Sequence, residues 1–321
     1  MQMLGNIFNA VLFVSAIGSV FCILSLFIDR ILRCSLPLWS LLCGMLFFCL
    51  PLLSPDVRLI SPEPQEWRKG FDLACWIWVC GCGILLICDA ARSILAQRAL
   101  REYPLCVDAR VHAVCSRCAK IAGLKKVPVL YWGTLDSPIC VANALRPAVV
   151  LNRAVVEKLT DLELSAVFFH ELTHIKRHHV LLERIYDLVC ILNWFNPFAW
   201  IAKGDFSLHC ETDCDSNALR FAHGTVTQKE YARAIIRLLE LSADQTAASG
   251  RAIGALRFVL TKRRIEQIIT KPSAARQRAI AAVLAVSLAV TAAFAVQFSR
   301  AHFYPYPAYR TGTEYSTGHN G

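Results

Sequence analysis

Long stretches without any charged side chain constrain the fold of this 321-residue sequence more than any other feature. Residues 1–28 and 34–55 carry no charge, and two further apolar runs occupy residues 73–88 and 279–299. A helix needs roughly 17–25 apolar residues to cross a membrane, so we predict four membrane-spanning helices, the third a little short. An apolar fraction of 55% is higher than that of ordinary soluble domains and agrees with this prediction.

The distribution of Lys and Arg predicts the orientation of these helices. Basic residues follow the first and third runs and precede the fourth, whereas segment 54–72 carries three basic and four acidic side chains. The side rich in Lys and Arg is usually cytoplasmic, and the first run lacks the basic start of a cleaved signal peptide. The predicted units are 1–33 (first helix and a short inner loop), 34–55 (second helix), 56–72 (external loop), 73–88 (third helix), 89–278 (cytoplasmic domain), 279–299 (fourth helix) and 300–321 (external, unstructured tail).

The cytoplasmic block 89–278 carries most of the formal charge. It contains 27 Lys and Arg against 18 Asp and Glu, in a chain of net charge +10. These basic residues are scattered and follow no helix-turn-helix or zinc-ribbon spacing, so we expect a solvated domain held against the lipid bilayer and no direct nucleic-acid binding. In a reducing cytoplasm we expect no structural disulfides. Cys115 and Cys118 form a single C-x-x-C motif without a second one, and we expect both side chains to pack in a helix.

Short strands are predicted in the first half of this block. The β-branched runs KVPVLYW (126–132) and PAVVLN (147–152) are bounded by Pro and Asn, which is typical of strands in a small sheet. Residues 89–123 are predicted to be helical.

Helical spacing dominates from residue 160 onward. Thr160 and Glu163 form a T-x-x-E capping box, which predicts a helix beginning near Leu162. A second amphipathic helix is predicted over residues 180–193, and Pro197 favours the start of a third.

The segment FFHELTHIKRHH (168–179) carries the strongest chemical signal. His170 and His174 are four residues apart, so on a helix both imidazoles lie on one face and can share a metal ion. Glu171 is placed to reach a metal-bound water, whose pKa zinc lowers to about 7. We therefore predict one Zn²⁺ per chain, with Glu171 as the catalytic general base that later protonates a leaving amine.

A third metal ligand is available in ETDCD, residues 211–215. Glu211 lies 37 residues after His174, and two His with one Glu would leave a fourth coordination position for water. Asp215 is four residues from Glu211 on the same helix face, so we expect it to accept a hydrogen bond from a histidine N–H.

Other side chains near the motif have alternative interpretations. Cys210 and Cys214 are candidate soft ligands, but we interpret them as packing residues. In this interpretation His178 and His179 extend the same helix and form a basic surface turn. His178 lies about 12 Å from His170 along the axis, too far to share its metal.

Three segments in this order and spacing, HELTHIKRHH, NWFNPFAW and ETDCDSNAL, resemble the BlaR/MecR-type membrane metallopeptidases. DSPICVANALRPAVVLN and RRIEQII are also similar to family segments. The resemblance implies a mainly α, multi-pass membrane protein with four transmembrane helices. It further implies a cytoplasmic gluzincin-like α+β zinc-peptidase domain between helices 3 and 4. By the same resemblance His170, His174 and Glu211 are the zinc ligands, Glu171 is the general base and Asp215 is the supporting carboxylate.

The sequence departs from the antibiotic receptors of that family after the fourth predicted helix. Those receptors continue into an external penicillin-binding domain built around S-x-x-K, and this sequence contains no S-x-x-K. We therefore expect no direct β-lactam sensing by this chain, and we expect a separate sensor protein.

The motif and the resemblance together predict a membrane-embedded zinc endopeptidase that cleaves a cytoplasmic or membrane-associated protein. The resemblance implies that this target is a regulatory protein, such as a DNA-binding transcriptional repressor. We expect the substrate to bind as an extended segment against the sheet near residues 147–152. One alternative is an HtpX-like membrane quality-control protease. Another is a non-catalytic membrane signal transducer whose zinc is structural.

Overall fold

A computed structural model of the protein describes residues 2–32, 65–133, 139–143 and 146–243, and the isolated positions 278 and 282. Two long apolar helices come first, α1 (Gln2–Leu32) and α2 (Gln65–Glu102). The other described elements are α3 (Ala109–Ala122), β1 (Val129–Trp132), β2 (Ile139–Ala142), β3 (Ala148–Leu151), α4 (Arg153–Val156), α5 (Asp161–Lys176), α6 (His179–Leu192), α7 (Pro197–Phe221) and α8 (Gln228–Ala243). The described part is therefore mostly helical with one small sheet.

Helix α2 contains the third predicted membrane span. Within the described residues, Lys69–Glu102 is the one stretch of helix long and apolar enough to cross a membrane, and Leu4–Val20 in α1 is a shorter apolar stretch. The predicted spans 34–55 and 279–299 lie outside the described residues, apart from position 282.

The prediction that residues 89–123 are helical is confirmed for 89–102, where α2 continues out of the third predicted span, and for 109–122. The chain leaves the helical conformation between α2 and α3. Pro104 has no backbone N–H and disfavours helix in the residue before it. The segment around it instead runs beside β1, where Cys106 N donates to Leu130 O at 2.9 Å and Trp132 N donates to Pro104 O at 2.8 Å. The carboxylate of Asp108 then caps α3.

The sheet has three strands in the order β1-β3-β2, with β1 parallel and β2 antiparallel to β3. The predictions of β1 and β3 are confirmed, while β2 was not predicted. Because β3 is the central strand, β1 and β2 occupy both of its hydrogen-bonding sides. Residues 148–151 are therefore not available for backbone pairing with a substrate, and binding of an extended substrate against this sheet stays a prediction.

Helix α5 lies at the centre of the domain core. Thr160 caps it and Glu163 completes the capping box, so the predicted helix start is confirmed. The helix packs against α3, α7, α8 and β2. Its fully buried side chains include Leu164, Phe168, Phe169 and Leu172. Polar side chains in the same helix are consequently held in largely apolar surroundings.

The cysteines of α3 belong to this core, as predicted. Cys115 and Cys118 are free and almost fully buried. Burial raises the pKa of Cys115 to about 12 and that of Cys118 to about 11. Both side chains are therefore neutral thiols that pack as small apolar groups.

Candidate metal centre

The two histidines of the HELTH segment face each other in α5. The spacing of four residues places both rings on one face of the helix, and the Nε2 atoms of His170 and His174 are 3.3 Å apart. The side chain of His170 is 8% exposed and that of His174 is 14% exposed. The pair therefore lies at the edge of the buried core.

Helix α7 brings Glu211 to the same point. One carboxylate oxygen, Oε2, lies 3.3 Å from Nε2 of His170, and the other, Oε1, lies 3.4 Å from Nε2 of His174. Asn196 caps α7 and Pro197 occupies its first turn, so this helix begins where the sequence predicts. The three residues predicted as ligands thus converge, although 37 residues separate His174 from Glu211.

The residues fit a zinc ion. Tetrahedral zinc with bonds of about 2.0–2.1 Å separates its ligand atoms by roughly 3.3 Å, which agrees with the three distances above. His170 Nδ1 lies 3.0 Å from Oδ1 of Asp215, so an Nδ1–H group can donate a hydrogen bond to that carboxylate. The lone pair of His170 Nε2 then points toward the oxygens of Glu211. Lone pairs converging at this distance repel one another unless a metal cation or a proton lies between them.

Two buried groups hold His170 from behind. Asp215 is 2% exposed and lies on α7, one helical turn after Glu211, as predicted. Tyr231 on α8 is fully buried, and its hydroxyl lies 3.2 Å from His170 Nδ1. Sequence reasoning missed Tyr231. The only local signal was a second capping box, Thr227 with Glu230, which marks the start of α8 but not its distance from α5.

Cys214 also reaches the centre. Its Sγ lies within 4.8 Å of ligand atoms of His170 and His174, so these three residues form a second possible metal-binding group. Burial first, and then the charges of Glu211 and Glu171, raise the pKa of Cys214 far above its usual range. The thiol lies 3.2 Å from His179 Nδ1. We favour Glu211 as the third ligand because the distances from its oxygens to the two Nε2 atoms, 3.3 and 3.4 Å, equal the separation of ligand atoms around tetrahedral zinc.

Glu171 is the buried acid beside this group. Glu171 directly follows His170 in α5, and 8% of the residue is exposed. Because the two are neighbours in the chain, Glu171 lies in the same turn of α5 as that histidine.

His178 and His179 do not continue the helix, contrary to the prediction. Helix α5 ends at Lys176, and His178 adopts a left-handed backbone with φ 55°, which breaks the helical path. His178 is exposed, in agreement with a basic turn, but His179 is fully buried. The ring of His179 packs edge-on against His174 with centroids 5.2 Å apart, and its Nε2 lies 3.5 Å from Asp213 Oδ2.

Two histidines on one helix and a glutamate on a later helix, gathered around one point, match the ligand set through which one class of metallopeptidases holds zinc. The sequence model of the family described as "BlaR1 peptidase M56" matches residues 59–268. This match covers more than half of the chain, and the chain belongs to that family. The predicted relation to BlaR/MecR-type peptidases is confirmed.

Individual proteins that are similar to this chain are named MecR1 and BlaR1. Methicillin resistance mecR1 protein of Staphylococcus aureus is 32% identical over 96 residues, which cover 30% of this chain and 16% of that protein. Regulatory protein BlaR1 of Bacillus licheniformis is 22% identical over 207 residues, which cover 64% of this chain and 34% of that protein. The chain thus spans about a third or less of the length of these curated relatives.

Proposed function

We propose that this protein is a membrane-embedded zinc endopeptidase that cleaves a regulatory protein on the cytoplasmic side. The observation that carries the proposal is the convergence of His170, His174 and Glu211, with ligand atoms 3.3–3.4 Å apart. Glu171, a buried acid, directly follows His170 in the same helix. Membership of the BlaR1 peptidase family supports this assignment over an HtpX-like quality-control protease.

The reaction is hydrolysis of a peptide bond. A zinc ion held by His170, His174 and Glu211 would polarise the scissile carbonyl and lower the pKa of a water molecule. The Glu171 carboxylate takes a proton from the attacking water and delivers it to the leaving amine. Asp215 holds the Nδ1 proton of His170, which keeps the ring oriented with Nε2 toward the ligand cluster.

The membrane placement rests on the apolar helices. Helix α2 can span a bilayer by length and composition, and the basic excess of residues 89–278 supports a cytoplasmic position for the peptidase domain. Two relatives are named for regulation and for methicillin resistance, which favours a signalling substrate such as a DNA-binding repressor. A separate sensor protein would supply the activating signal.

The experiment compares the native protein with Glu171→Gln in cells and after purification. We expect the variant to retain one zinc ion per chain and to lose cleavage of its cellular target by about 10²- to 10⁴-fold, because it lacks the general base. Glu157→Gln, which changes an exposed glutamate paired with Arg153, is the matched control and should cleave normally. Normal target processing by Glu171→Gln would overturn the proposal.

A second candidate function, a non-catalytic transducer with structural zinc, is favoured by the position of Cys214. If this thiol joined His170, His174 and Glu211, four protein ligands would close the site to water, as in structural zinc centres. A hydroxamate that displaces a zinc-bound water separates the candidates. It should bind to the zinc-loaded native protein if the site is open, and it should not bind if Cys214 closes it.

A further inference from the structure

The turn between α6 and α7 has the surface of a membrane-embedded segment. We call residues 188–202 the apolar hairpin; they contain no charged residue. Its two asparagines, Asn193 and Asn196, are buried. Its exposed side chains are all apolar, namely Leu188, Phe195, Pro197, Trp200 and Ile201. This arrangement, with polar groups inside and aromatic and aliphatic groups outside, is the reverse of what water favours at a loop.

One side of the apolar hairpin is bonded to the uncharged part of α2. Trp78 Nε1 donates to Leu192 O at 2.9 Å, and the Cys82 thiol donates to Ile191 O at 3.4 Å. The Trp194 ring packs so closely on α2 that a Cβ added at Gly81 would lie 2.6 Å from it. All three α2 residues belong to the run 73–88.

The other side is bonded to the uncharged part of α1. Asn196 Nδ2 donates to Ser15 Oγ at 2.6 Å and to Ser19 Oγ at 2.7 Å. Two turns of α1 therefore contact Asn196, which lies at the tip of the apolar hairpin. One turn further along α1, the Cys22 thiol donates to Phe198 O at 3.7 Å.

Charged residues reappear together at one level of the bundle. Arg184 Nη1 on α6 lies 3.4 Å from Asp89 Oδ1 on α2 and 3.7 Å from Asp187 Oδ2. Asp187 in turn pairs with Lys203 on α7. Three helices thus pass through one layer of paired charges, and that layer contains the first charged residue after the apolar run of α2.

The spacing along the helices agrees with this layer. Seven residues separate Asp89 from Cys82 on α2, and seven separate Arg184 from Ile191 on α6, so both paths cover roughly 10 Å. From Asp89 to Trp78 the distance is roughly 16 Å, about half of a hydrocarbon core some 30 Å thick. The tip of the apolar hairpin therefore lies level with the middle of the α2 span.

We propose that the apolar hairpin is re-entrant: it enters the bilayer from the side of the peptidase domain, turns near the midplane between α1 and α2, and returns. Its outer face contacts lipid acyl chains. The inference depends on the membrane placement of α2 in the proposed function, and it moves residues 188–202 from the predicted cytoplasmic domain into the membrane.

The backbone of the turn is built for a medium without water. Helix ends leave carbonyl and amide groups without helical partners, and in hydrocarbon each must be bonded within the protein. The α2 side chains bond the last carbonyls of α6, as described above. Asn196 Oδ1 accepts from Phe198 N at 2.9 Å, and Trp200 Nε1 donates to Trp194 O at 3.3 Å.

The re-entrant turn also sets the height of the metal centre. Helix α7 runs without interruption from the tip to the ligand cluster, and eight residues separate Lys203 from Glu211. This separation is about 12 Å along the axis. The centre therefore faces water a short distance beyond the charged layer, where it can meet a substrate segment close to the membrane surface.

The test is tryptophan quenching in the full-length protein, reconstituted into phosphatidylcholine bilayers whose acyl chains are brominated. Emission of one tryptophan is obtained by subtracting the spectrum of its Phe variant from that of the native protein. We expect the Trp200→Phe difference to be strongly quenched compared with unbrominated lipid. The Trp76→Phe difference reports the emission of an exposed tryptophan of α2, and it should also be strongly quenched. Trp132→Phe reports β1 and should show no quenching.

The outcomes separate this inference from the proposed membrane placement. Quenching at Trp76 without quenching at Trp200 would overturn the re-entrant hairpin and leave α2 in the membrane. Absence of quenching at both positions would overturn both. Phe195→Trp adds a reporter at the tip itself. Its added emission should be quenched by acyl-chain bromine and protected from iodide in the aqueous phase; quenching by iodide instead would also overturn the proposal.

Discussion

The hydroxyl of Tyr231 donates a 2.9 Å hydrogen bond to Oδ1 of Asp215, which joins α8 to α7 directly behind the paired histidines. Both side chains are buried, and both contact Nδ1 of His170. A carboxylate that receives two donors in apolar surroundings is fixed in position. The orientation of the His170 ring therefore depends on a residue 61 positions later in the chain.

Tyr231→Phe should weaken zinc binding without removing it. The variant lacks the donor to Asp215, and loss of such an outer partner typically costs about 10- to 100-fold in metal affinity. Competition with a chelator of known affinity measures the change. Tyr131→Phe, on strand β1, is the control for loss of a tyrosine hydroxyl elsewhere. Equal zinc affinity in the two variants would show that Tyr231 does not position the ligand.

Glu211→Gln and Cys214→Ser should differ in metal content. If Glu211 is the third ligand, its amide variant should purify with little zinc, whereas Cys214→Ser should keep one zinc per chain. Metal analysis of the purified proteins decides between them. The opposite pattern would assign the ligand to the thiol and would require a different coordination geometry.

Gly81→Ala should destabilise the contact between α2 and the apolar hairpin. An added Cβ would lie 2.6 Å from the Trp194 ring, and overpacking of this kind costs about 1–3 kcal/mol. Gly83→Ala is the matched control, since a Cβ there meets nothing within 4 Å and only the helical preference of Ala remains. Thermal unfolding in detergent should give a lower midpoint for Gly81→Ala than for Gly83→Ala; equal midpoints would contradict the packing.

The capping box of α8 should make stability depend on pH in the acid range. Hydrogen bonds from the backbone N–H and then the hydroxyl of Thr227 lower the pKa of Glu230 below its ordinary value. A carboxyl group whose pKa is lowered by folding adds stability above its unfolded pKa, and this stability is lost as the pH falls through the folded value. Glu230→Gln should therefore reduce the acid dependence of the thermal midpoint. Glu240→Gln, an exposed glutamate on the same helix, should not.

The local parts of the site could be predicted because they depend on backbone geometry. Four-residue spacing places His170 and His174 on one face of any α-helix, and the Thr160 capping box marks where that helix starts. The start of α7 at Pro197 follows from the same kind of rule. The short strand β2 was missed although its sequence carries a signal like that of β3, because Ile139 and Val141 are β-branched and Asn143 follows them as Asn152 follows β3.

The sequence by itself determined which residues could bind metal, where α5 and α7 begin, and which runs are apolar enough for a bilayer, because each property depends on residues within a few turns of one another. Only the tertiary structure decided that His179 turns back into the core, that Tyr231 supports His170, and that the tip of the α6–α7 turn lies between α1 and α2. These relationships join residues far apart in the chain. They depend on the packing of apolar surfaces and on the hydrogen bonds of buried polar groups. Neither can be predicted from a periodic pattern in the sequence.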